Sequence, residues 1–96
     1  MAITKNDHDG LITINGTTST AQSVFTDRRD IRWIYWYRPT TVGHMAHFLT
    51  GTDKDFVRFY CDNADCSQNL PCGGHPVQGL KIDDLDSGTI KISYFK

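Results

Sequence analysis

No run of apolar residues in this chain approaches the roughly 20 that a bilayer span requires, and residues 1–10 lack the apolar centre of a signal peptide. A membrane-spanning helix and secretion by an N-terminal signal are therefore not expected, and synthesis in the cytosol is. Neither sign of charge is in excess. Ten Lys and Arg stand against eleven Asp and Glu, so no whole-chain field exists to attract phosphate backbones or anionic lipid. A Gly-x-Ser-x-Gly elbow, a phosphate-cradling glycine loop and a His-Glu-x-x-His pair are all missing, which leaves hydrolase, nucleotide and metalloprotease readings without a motif. Cysteine is sparse and odd in number, three in 96 residues, which argues against a disulfide scaffold. Repeats, low-complexity tracts and a Pro/Ser-rich linker are absent too. The chain reads as a single domain over residues 1–96, and as a protein that is not an enzyme.

What is present is a series of short alternating runs bounded by Gly, Asn, Asp and Pro, without a sustained 3.6-residue period. Gly10 to Asn15 reads as a first strand, with Leu11, Thr13 and Asn15 alternating against Ile12 and Ile14, and Asn15-Gly16 supplies a turn. Thr17 to Phe25 is β-branched and hydroxyl-rich and suits an edge strand. Ile31 to Arg38 carries apolar side chains at both parities, with Ile31, Trp33, Tyr35 and Tyr37 on one face and Ile34 and Trp36 on the other. That pattern predicts a central strand closed by Pro39. His44 to Thr50 and Phe56 to Cys61 form a hairpin across Gly51-Thr52-Asp53-Lys54, and Val77 to Ile82 and Thr89 to Phe95 complete the set across Asp86-Ser87-Gly88. About seven short strands with turns every ten or so residues predict an all-β protein, a single antiparallel β-sandwich of jelly-roll or immunoglobulin-like type. Residues 1–9 are expected to form a flexible or docking arm, and residues 62–76 a Cys/Pro/Gly-rich loop.

That loop holds the most suggestive chemistry. Cys61, Cys66, Cys72 and His75 offer four zinc-ligand groups within fifteen residues, able to converge on a tetrahedral structural Zn²⁺. Their spacing is wider than in compact zinc turns, so a Cys66–Cys72 disulfide and free thiols stay open beside the metal. None of the three implies catalysis, and no cofactor is otherwise expected. Asp62 follows Cys61 and Asp65 precedes Cys66, and both acids oppose a reactive thiolate. His44 and His47 are three apart, which on a strand places them on opposite faces, one packed and one solvated.

Arg28, Arg29, Arg32, Trp33, Tyr35, Trp36, Tyr37 and Arg38 combine cations with aromatics, the mixture used by single-strand binding surfaces. Core packing is the favoured reading of these aromatics, with Asp27 and Asp30 diluting the charge. A nucleic-acid partner is accordingly not expected, and a small single-strand nucleic-acid-binding module stands as an alternative.

Two stretches carry a resemblance: residues 31–36 leading into Pro39-Thr40-Thr41-Val42-Gly43-His44, and residues 77–81 leading to Leu85-Asp86-Ser87-Gly88-Thr89-Ile90. They resemble small proteins of tailed bacteriophages, over residues 31–94. The resemblance implies a virion-associated β-sandwich, a capsid decoration (cement) protein or a tail accessory, assembled in the host cytoplasm. Its partner would be the major capsid or a tail protein, with a homo-oligomer compatible with lattice docking and no membrane involved. A host-directed interaction protein made during infection is the other reading. Trp36, Arg38 and His75 are the candidate interface residues, because aromatic and basic side chains commonly anchor contacts.

Overall fold

The computed structural model describes residues 3–62 and 67–95, and over these every regular element is a β-strand. The strands are β1 (Ile3–His8), β2 (Leu11–Gly16), β3 (Gln22–Tyr37), β4 (Met45–Thr50), β5 (Asp55–Tyr60), β6 (Gln68–Leu85) and β7 (Thr89–Phe95). The all-β expectation holds, with seven antiparallel strands. They form one hydrogen-bonded sheet in the order β1-β2-β7-β3-β6-β4-β5.

Two long strands make this possible. β3 and β6 pair along most of their length, and each takes one further neighbour, at opposite ends of the pair. The last eight residues of β3 (30–37) pair with β7, and residues 80–85 of β6 pair with β4. The two strands expected at residues 17–25 and 31–38 are joined in β3 through Asp27-Arg28-Arg29-Asp30. The ladder runs through it, with Arg28 opposite Gln78, Arg29 opposite Val77 and Asp30 opposite Pro76. The charges are tolerated because they are paired: Arg29 bonds Asp7 Oδ2 of β1 at 2.7 Å and Asp27 Oδ1 of its own strand at 3.0 Å.

Register shifts decide which side chains become core. Between Ile31 and Trp33 the ladder to β7 advances two residues on β3 and one on β7, so Arg32 is an extra residue. Such a bulge reverses the parity of everything beyond it. Ile31 therefore shares the interior with Ile34 and Trp36, while Trp33, Tyr35 and Tyr37 turn outward. The sequence expectation that Ile31, Trp33, Tyr35 and Tyr37 share one face is corrected by that single residue.

The Cys/Pro/Gly-rich segment is also corrected, because its described part from Gln68 onward is the first half of β6. Proline survives at 71 and 76 because, among the described residues, no strand pairs with the far side of this half, so a missing N–H costs no ladder bond. Gly73 and Gly74, at φ of 61° and 85°, absorb the extra residues opposite Arg32. Residues 3–8 are likewise a strand and not an arm. They pair with β2 along their whole length, and Lys5 Nζ donates to the carbonyl oxygens of Ser23 (3.1 Å) and Val24 (2.8 Å) on the otherwise unpaired side of β3. A lysine placed this way blocks a sheet edge that could template further pairing.

Candidate functional site

Trp36, one of the expected interface residues, is fully buried; its ring lies 6.2 Å from that of Phe59 on β5, across the interior. Its indole N–H donates to the Ser87 carbonyl at 2.8 Å, so the ring is satisfied in the core and cannot serve as a surface anchor. Arg38 is exposed, with φ of 52°, and its N–H donates to Ser67 Oγ at 2.9 Å. His75 is exposed on β6 and stacks on Phe56 of β5 at 5.7 Å and 19°.

The four expected metal ligands are not brought together as far as they are described. Cys61 is buried in the core and Cys72 half-buried, while His75 lies on the surface. Burial pushes the Cys72 thiol up. Cys66 lies outside the described residues. Among the described residues no group of three or more His, Cys and Asp side chains is placed to hold a metal ion.

The two turns that carried the resemblance meet in space. His44 Nδ1 lies 2.7 Å from Ser87 Oγ, which also accepts the Thr40 N–H at 3.0 Å, and Asp86 Oδ2 accepts the Met45 N–H at 2.9 Å. Gly88 completes the clasp at φ of 80°, where an added Cβ would sit 2.8 Å from Trp36 Nε1 and from the Tyr37 carbonyl. A Ser–His contact has the outline of a nucleophile and base. Here the hydroxyl is engaged by a backbone N–H, and no described carboxylate orients the imidazole. The pair joins two turns.

A second cluster surrounds His47, which β4 buries to 6% exposure. Its Nε2 lies 2.8 Å from Asp55 Oδ1 and 3.2 Å from Arg58 Nη2, and its Nδ1 lies 3.4 Å from Asp83 Oδ2. Arginine has no acceptor and a carboxylate no proton, so Nε2 can hydrogen-bond only one of its two neighbours. The shorter of the two contacts is the one to Asp55. Asp84, paired with His47 on the ladder, is pushed up to about 6 by burial, by a hydrogen bond and repulsion from Asp86, and by repulsion from Asp83, with His47 opposing. This cluster holds β4, β5 and β6 together. Sequence reading saw His47 and missed its acids, although Asp83-Asp84-x-Asp86 stood in plain view; their approach depends on the β4–β6 register.

The third arrangement is a surface. On β3 the outward positions are Trp33, Tyr35 and Tyr37, whose ladder partners on β7 are Ser93, Lys91 and Thr89, with Leu11 and Thr13 of β2 beyond. Tyr35 and Tyr37 lie 5.8 Å apart, and Tyr37 is 42% exposed. Arg38 and Lys91 reach over the Tyr37 ring at 5.9 and 6.0 Å, and Arg32, the bulged residue, lies 5.2 Å over Phe95. Arg29 is not part of this face. It is held between the rings of Phe25 and Tyr94 at 4.7 and 4.6 Å, on the side where Tyr94 O–H donates to Asp7 at 2.6 Å. The basic and aromatic run is thus divided into a core half and a displayed half.

No family model, curated protein or solved structure matches the chain.

Proposed function

We propose that this chain is a non-enzymatic accessory protein of a tailed-bacteriophage particle, a capsid decoration or tail-associated component held by contacts with the major capsid or tail protein. The observation that supports it is the clasp between Ser87 and His44. The two stretches that carry the resemblance, far apart in sequence, form one structural unit, which is what a shared architecture requires of shared turns. A resemblance limited to scattered, unconnected loops would carry less weight. The seven-stranded sheet also suits the role, and we read it as a sandwich-like body in which Trp36 packs against Phe59. Repetition on a lattice then lets a modest contact per copy give high occupancy.

The test is quantitative peptide mass spectrometry on purified particles of the encoding phage, calibrated on the major capsid protein. Hundreds of copies support capsid decoration, and a handful supports a tail position. Absence from the particle overturns the reading and leaves the host-directed interaction protein.

A further inference from the structure

An aromatic row on a sheet exterior has a cost, since water hydrates it poorly, and the bulge at Arg32 is what places it there. Without that extra residue, Trp33, Tyr35 and Tyr37 would share the interior parity of Ile31. Alternate residues of a strand lie about 7 Å apart on one face, so the three rings form a ladder about 13 Å long, on the scale of consecutive bases in an unstacked strand.

We infer that this face binds single-stranded nucleic acid, with two or three bases stacked on Trp33, Tyr35 and Tyr37 and the phosphates met by Lys91, Arg38 and Arg32. Sheets that bind single strands use this combination of sequence-tolerant stacking and flanking cations. Charge complementarity selects the ligand. The outward positions facing the row on β7 and β2 are Ser93, Lys91, Thr89, Leu11 and Thr13, and none is acidic. On the neighbouring β6, Tyr35 faces Asn69 and Trp33 faces Pro71. Five of the eleven acids, Asp53, Asp55, Asp83, Asp84 and Asp86, belong to the β4, β5 and β6 end or its turns. Asp7 and Asp27 are tied to Arg29, and Asp30 to Arg28 at 3.3 Å; of the remaining three, Asp9 stands in the β1–β2 turn, Asp62 follows β5 and Asp65 lies outside the described residues. A neutral chain can therefore present a locally cationic aromatic face. A neutral glycan would use the rings but would gain little from cations at both ends of the row. This inference goes beyond the particle reading and does not depend on it.

The test titrates the full chain into labelled 12-nucleotide dT and rU oligomers at low salt, reading anisotropy and the fluorescence of Trp33, the solvent-accessible one of the two tryptophans. Tyr37→Ala and Trp33→Ala should each weaken binding about five- to hundredfold, the range of one lost stacking contact. Lys91→Ala should weaken it and lower the salt slope by about one. A duplex of the same length should not compete. No binding by the folded wild-type chain overturns the proposal, and so does binding that survives both aromatic substitutions in variants with native circular dichroism. Binding of neutral oligosaccharides in place of oligonucleotides also overturns it. Because particle copy number is measured separately, loss of this inference leaves the accessory reading standing, and the reverse.

Discussion

Ser87 Oγ lies 2.7 Å from His44 Nδ1 while accepting the Thr40 N–H at 3.0 Å, and its carbonyl accepts the Trp36 indole N–H at 2.8 Å. One residue of the β6–β7 turn therefore satisfies the β3–β4 connection, a histidine and the largest buried side chain. The motif is a fastening, and its residues are explained by what they hold.

Removing the hydroxyl with Ser87→Ala should cost about 1–2 kcal/mol, because the Thr40 N–H and His44 both lose a partner. At this chain length that corresponds to a melting temperature lower by about 4–8 °C per kcal/mol. Gly88→Ala should cost more, since the new Cβ meets Trp36 Nε1 and the Tyr37 carbonyl at 2.8 Å in a left-handed conformation. Paired thermal melts of the two variants measure the order.

Asp84 sets an unusual pH dependence. Its folded-state pKa is raised to about 6, chiefly by burial and by Asp86. Its contribution is therefore fully present below the ordinary carboxylate value near 4 and is lost as the pH rises through about 6. Asp84→Asn should raise stability at neutral pH by on the order of 1 kcal/mol, allowing for solvent screening, and should flatten the loss between pH 4 and 7. Urea melts across that range test both.

Asp7 behaves in the opposite sense. Burial raises it, but the hydrogen bonds from Tyr94 and Arg29 and the Arg29 charge outweigh burial and hold it below the usual carboxylate value. Its contribution is present above about pH 4 and lost as the pH falls through the lower folded value. It amounts to on the order of 1 kcal/mol or less at so open a site. Asp7→Asn should speed hydrogen exchange in β1 and β2 at neutral pH and leave β4 and β5 unchanged.

The two described thiols should differ in reactivity. Cys61 is buried in the core and should resist alkylation until the protein unfolds. Cys72, half-buried with its thiol pushed up by burial, should react slowly at neutral pH and faster as the pH rises, because the thiolate is the nucleophile. Site-resolved mass spectrometry of alkylated native protein reads each rate.

Trp36→Ala should cost about 3–5 kcal/mol through loss of burial and the cavity left behind. Trp33→Ala, half-buried at the surface, should cost clearly less. Denaturant melts of the two variants separate the core tryptophan from the displayed one.

The sequence by itself determined the β class and much of the strand set. Period-two alternation in residues 11–15, 45–50 and 89–95 and the turn residues between them are local signals, and local signals survive any topology. β2, β4, β5 and β7 stand within a residue of where the alternation puts them. The tertiary structure decided everything that depends on pairing. Only a partner strand could keep Asp27 to Asp30 extended, hold Pro71 and Pro76 within a strand, and turn residues 3–8 into β1. The candidate surface divided along the same line. Its residue types were legible in residues 28–38, but whether each ring faced the core or the solvent hung on one bulged residue, Arg32. A bulge exists only relative to a neighbouring strand, so no periodicity within β3 alone could have located it.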